Sequence, residues 1–99
     1  MRLTPGQIDC IKYVGHAVLG DQVRVILFGS RVDDAKKGGD IDLLFETDMA
    51  VPNRVATIGR LYVELIRKLG DRKIDVLLKD PLTAPTPVFD IVRKTGIQL

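Results

Sequence analysis

The stretch FGSRVDDAKKGGDIDLLFE, residues 28–46, places Asp40 and Asp42 one residue apart at the head of an apolar run. Ile41, Leu43 and Phe45 alternate with polar or second-face positions, the period of two that a β-strand imposes. On such a strand Asp40 and Asp42 share one face, and Ile41, Leu43 and Phe45 share the other. The alternation recurs in KIDVLLK, residues 73–79, where Ile74, Val76 and Leu78 form an apolar face opposite Asp75 and Leu77. If both apolar faces lie under the same helices, Asp75 joins Asp40 and Asp42 on the uncovered side of one sheet.

Working outward from that stretch gives the remaining elements. Residues 23–28, VRVILF, are β-branched and apolar and end in Gly29-Ser30, which marks a strand closed by a turn. Upstream, Thr4-Pro5 reads as a helix cap and first helical residue, with Ile8, Ile11, Val14 and Val18 at helical spacing. Pro52 opens a second helix whose expected buried stripe is Val55, Ile58, Leu61, Tyr62, Leu65 and Leu69, stopped by Gly70-Asp71. A proline-rich connector, DPLTAPTP, leads to a short final helix over residues 88–94. The order is α-β-β-α-β-α, an α+β fold with a small mixed sheet and helices packed on one face. The strand-helix-strand unit over residues 40–79 implies a crossover and a parallel pair. A loop between the first two strands permits an antiparallel pair, a point the sequence leaves open.

Ninety-nine residues suit one domain, residues 1–99, since a second core would lack chain to bury itself. Fifteen basic against thirteen acidic residues give +2, too little for a nucleic-acid footprint. One cysteine, Cys10, excludes an internal disulfide framework and a cysteine-rich zinc site. His16 is the only histidine, so no histidine-based catalytic constellation exists. The first twenty residues lack the apolar run and cleavage site of a signal peptide, and no segment approaches membrane-spanning length. A cytoplasmic protein with no membrane partner is expected.

Three converging carboxylates repel one another, and each is driven towards protonation unless a cation stands between them. Hard oxygen donors without histidine or cysteine suit Mg²⁺ and argue against zinc. Two such ions about 4 Å apart serve in-line phosphoryl and nucleotidyl transfer. Gly29-Ser30 suits the same chemistry: glycine permits close backbone approach, and N–H groups beyond a strand end form an anion-binding concavity. Ser30 adds a hydroxyl and Arg31 a fixed cation for phosphate oxygens. Lys36 and Lys37 read as a solvated loop. Taken singly, a D-x-D pair, a Gly-Ser turn or a third aspartate is a weak signal. Their joint order, with nine residues between Ser30 and Asp40, is specific.

LFGSR at 27–31, GGDIDLL at 38–44 and KIDVLL at 73–78 resemble the minimal nucleotidyltransferases (MNT) of the DNA polymerase β-like superfamily. The resemblance covers most of the chain in order. It implies Mg²⁺-dependent transfer of a nucleoside monophosphate, usually AMP from ATP, to an acceptor hydroxyl. It assigns Gly29, Ser30 and Arg31 to the triphosphate, Asp40 and Asp42 to the metals, and Asp75 to the second metal and the acceptor hydroxyl. Val32, Asp33 and Asp34 depart from the small-basic-glycine sequence that follows Gly-Ser-Arg in several relatives. Domains of this size are commonly paired with a helical HEPN protein in toxin–antitoxin modules, in which the nucleotidyltransferase is the antitoxin and in some cases adenylylates its partner. A non-catalytic antitoxin that masks a HEPN partner is the alternative. Acidic-pocket phosphatases and receiver domains fit less well, the latter needing a five-stranded parallel sheet.

Overall fold

The computed structural model describes residues 3–29, 41–70 and 72–99. The elements are α1 (Pro5–Leu19), β1 (Arg24–Phe28), β2 (Ile41–Glu46), α2 (Arg54–Leu69), β3 (Ile74–Lys79), α3 (Pro87–Thr95) and β4 (Ile97–Gln98). Thr4 caps α1 reciprocally with Gln7: Gln7 N–H donates to Thr4 Oγ1 at 3.1 Å, and Thr4 N–H donates to Gln7 Oε1 at 2.9 Å. These bonds satisfy two of the donors that a helix start leaves open. Asn53 rather than Pro52 caps α2, accepting from Ala56 N–H at 3.1 Å.

The sheet runs β3-β2-β1-β4. β1 and β2 are antiparallel, and β2 and β3 are parallel through the α2 crossover, as the strand-helix-strand order requires. Ile41, Leu43 and Phe45 of β2 and Val25 and Leu27 of β1 pack with Ile11, Val14, Leu61 and Leu65 into the main core. Gly15 lets α1 come close, since a Cβ there would sit 3.1 Å from the Phe45 ring. The buried stripe of α2 is narrower than expected. Leu61, Leu65 and Leu69 are buried, but Val55 is 83% and Tyr62 43% exposed.

The α+β class and the mixed sheet hold, while α3 breaks the one-sided arrangement. It lies on the opposite face, where Phe89 and Val92 pack on Ile26 and Leu44, flanked by Phe28 and Leu77. β4 then returns antiparallel to β1, with Leu27 opposite Ile97. Gly96 makes that return possible: a Cβ there would lie 2.6 Å from Ile26 Cγ2 and from the Val92 carbonyl oxygen, and 2.8 Å from that of Leu27. Two of these three neighbours are backbone and cannot yield. Gly96→Ala is expected to cost about 1–3 kcal/mol through overpacking, read as a lower urea midpoint with an unchanged m-value.

The proline-rich connector is anchored by Asp80, which is 1% exposed. Its carboxylate accepts from Val51 N–H at 2.7 Å, Leu82 N–H at 3.1 Å and Thr83 Oγ1–H at 2.8 Å, and pairs with Arg54 at 3.3 Å. The Val51 bond leads in holding this carboxyl below its ordinary value, against the opposing effect of burial.

Candidate active site

The face of the sheet shared with α3 is organised in rows by strand register. Phe28, Asp42 and Asp75 form the first row, since Phe28 pairs with Asp42 and Asp42 pairs with Asp75. Ile26, Leu44 and Leu77 form the apolar row under α3. Arg24, Glu46 and Lys79 form the third row at the far end. The face thus alternates acidic, apolar and ionic bands, and α3 covers the middle one.

Directly opposed residues of neighbouring strands present side chains to the same face, on backbones about 4.8 Å apart. Asp42 and Asp75 are therefore adjacent carboxylates, Asp42 half-buried and Asp75 exposed. The expected fate of Asp75, on the face away from α1 and α2, is what its register gives. Gly29 closes the other side of Asp42. Its φ is +78°, a conformation L side chains rarely adopt. A Cβ at Gly29 would overlap Asp42 Oδ2 and lie 3.1 Å from its Cγ. Backbone and carboxylate are in contact only because residue 29 has no side chain.

Asp40, Ser30 and Arg31 lie outside the described residues, as do Lys36 and Lys37. Of the expected site, the structure brings together Gly29, Asp42 and Asp75. Among the described residues, no group of three or more His, Cys, Asp and Glu is placed to hold a metal ion. The donor chemistry nevertheless fits a hard divalent cation. Asp42 and Asp75 supply carboxylate oxygen from neighbouring strands, and Asp40 is two residues from Asp42 in sequence. His16 lies on α1, 4.0 Å from Asp21 across a partly exposed surface. Cys10 packs against the main core.

Glu46 ends the same stretch that carries the aspartates, and the sequence reading gave it no role. It is 5% exposed and acts as an ionic knot. Arg24 Nε donates to Oε1 at 2.9 Å, Arg93 of α3 donates to Oε2, and Lys79 Nζ stands 3.8 Å from Oε2. Burial opposes its ionisation, but the hydrogen bonds from Arg93 and Arg24 outweigh it and hold the carboxyl below its usual value. The knot ties α3 to β1 and β2. Glu46 and Asp80 both have depressed folded-state values, below 4.5 and 3.8 respectively. Such groups contribute stability that is fully present above the unfolded values and is lost as pH falls through the folded ones. Urea midpoints are expected to stay level from neutral pH down to about 5 and to drop steeply below about 4. Glu46→Gln is expected to flatten part of that drop.

A depression of about 230 Å³ lies between the end of α1 and the start of α2, lined by Val18, Leu19, Met49, Val51 and Pro52 with Thr47 and Thr57. No charged side chain lines it, and Thr47 follows β2 at the end opposite Asp42. It is not the place for a triphosphate.

The family model described as a nucleotidyltransferase domain matches residues 10–97. This chain belongs to the nucleotidyltransferase domain family. A search of characterised proteins found no match. The matched span contains Gly29, Asp42 and Asp75 and every strand but the last residue of β4. Membership establishes nucleotidyl transfer as the general chemistry, and nucleoside triphosphate with a divalent metal as the family's usual requirement. No helix among the described residues is long and apolar enough to cross a membrane.

Proposed function

We propose that this nucleotidyltransferase transfers AMP from ATP to a hydroxyl of a partner protein, and that it acts as the antitoxin of a helical HEPN-family protein. The observation that carries the catalytic reading is the Asp42–Asp75 register, with Gly29 packed against Asp42. Bound between carboxylates and triphosphate, Mg²⁺ would neutralise both and polarise the α-phosphate. Asp40, Asp42 and Asp75 would hold it.

The chain's own residues have separable tasks. Gly29, with Ser30 and Arg31, binds and orients the triphosphate, since N–H groups and a guanidinium match phosphate oxygens. Asp75 is exposed on the sheet face beside Asp42, where a hydroxyl carried by another protein has access from solvent. Its carboxylate takes the proton as the acceptor oxygen bonds to the α-phosphorus. The bond from that phosphorus to the bridging oxygen breaks, and pyrophosphate leaves. Atoms and charge balance without a further reactant.

The test is transfer of label from α-³²P-ATP to proteins that co-purify with the chain, with Mg²⁺ present. Labelled partner and released pyrophosphate are expected from the wild type, and neither from folded Asp42→Asn. Neutralisation of a partner by folded Asp42→Asn, with no labelling by either protein, would replace this reading with the masking antitoxin.

A further inference from the structure

β3 is one edge of the sheet, and β2 is its only strand partner among the described residues. Lys73 and Lys79 carbonyls accept from Ile41 and Thr47 N–H. By the alternation of a ladder, odd residues of β3 bond inward, and Ile74, Val76 and Leu78 turn their N–H and C=O groups outward. An outer edge with three apolar residues in succession, Val76 to Leu78, is a template for pairing. The adjacent flank of α2 is apolar as well. Lys68 covers Tyr13 on the α1 side, and the opposite flank carries Val55, Tyr62 and Val63, which are 83%, 43% and 51% exposed. α2 packs on β3, so this flank lies beside the open edge.

We propose that two copies of this chain join through β3, antiparallel about a two-fold axis beside Leu77. Charge selects this register. For α2 to stay on the same side in both copies, the paired residue numbers must share parity. Centring on Val76 sets Lys73 against Lys79 of the partner subunit, a repulsion made twice. Centring on Leu77 sets Asp75 against Lys79 of the partner subunit, an attraction made twice. Val76 then meets Leu78 of the partner subunit with outward amides on both, and they exchange hydrogen bonds. Lys79 is available for this, because its 3.8 Å contact is the longest of the three cations on Glu46.

The helices fit the same arrangement. Because α2 packs on β3, the two-fold axis sets its symmetry mate alongside it. Val55 and Tyr62 of the two copies then cover each other, and exposed Gly59 leaves room between them. The pairing also brings Lys79 of the partner subunit beside the carboxylate pair, a cation where triphosphate charge gathers. That consequence rests on the nucleotide-transfer reading, whereas the dimer does not.

Sedimentation and light scattering of the full chain are expected to give twice the 11.0 kDa chain mass, and Tyr62→Glu is expected to give a monomer with an unchanged circular dichroism spectrum. Non-hydrogen-bonded antiparallel partners stand about 4.5 Å apart at Cα, within the roughly 4.4–6.8 Å span of disulfides. In a Cys10→Ser background, Leu77→Cys is therefore expected to form a covalent dimer on oxidation. A monomer at every soluble concentration overturns the proposal, as does a dimer that Leu77→Cys fails to cross-link. Should Leu77→Cys not fold, the mass of Tyr62→Glu decides, and a retained dimer overturns it. Absent nucleotidyl transfer with an intact cross-link counts against the catalytic reading alone.

Discussion

Asp42→Asn is expected to leave the protein folded and to lower nucleotidyl transfer by about 10³-fold or more. The substitution keeps the volume and one oxygen of a half-buried side chain on β2, so its strand pairing to Phe28 and Asp75 persists. What it removes is one of the two carboxylate charges of the Asp42–Asp75 pair. A divalent ion held by fewer charged oxygens binds more weakly and orients the α-phosphate less well, and transfer by positioning loses most from such a change. Single-turnover rates at saturating ATP and Mg²⁺, beside the wild-type thermal midpoint, check both halves of the expectation. A variant that transfers at the wild-type rate would remove Asp42 from the chemistry.

Gly29→Ala is expected to cost about 10²-fold in transfer while leaving every carboxylate in the sequence. Two effects act together. At φ +78° an alanine pays about 1–2 kcal/mol of left-handed strain. Its Cβ also claims the space of Asp42 Oδ2, so either the carboxylate rotates or the end of β1 moves. A smaller loss of stability than of activity separates displacement of Asp42 from general unfolding. Gly20 and Gly70 supply the control. Both have positive φ, but nothing lies within 4 Å of a Cβ at either, so Gly70→Ala carries the strain without the collision. It is expected to lose stability and keep activity.

Strand parity was the most legible feature of the sequence. Period two fixes which residues share a face, so the juxtaposition of Asp42 and Asp75 followed once both runs were read as neighbouring strands. Gly29 was legible as a turn, but its contact with Asp42 needed three dimensions. The far side of the sheet was hidden for a related reason. Ile26, Leu44 and Leu77 alternate with core residues, and an apolar residue on the second face looks the same whether a helix covers it or not. Only Phe89 and Val92, two and five positions beyond a proline-rich connector, show what lies there. β4 is two residues long and gave no periodic signal. In α2, Val55 and Tyr62 sit at the margin of the helical stripe, where spacing alone cannot separate core from surface. Neither Glu46 nor Asp80 stands out in the sequence, because their partners Arg93, Arg24, Val51 and Arg54 come from other elements.

The most direct measurement is Mn²⁺ binding in the presence of a non-hydrolysable ATP analogue, followed by electron paramagnetic resonance of the free ion. If the carboxylates at 42 and 75 clasp one cation site, Asp42→Asn and Asp75→Asn each weaken binding by about tenfold or more, and the double variant by little beyond the stronger single effect. Wild-type affinity in either folded variant would show that these neighbours on β2 and β3 hold no ion in common.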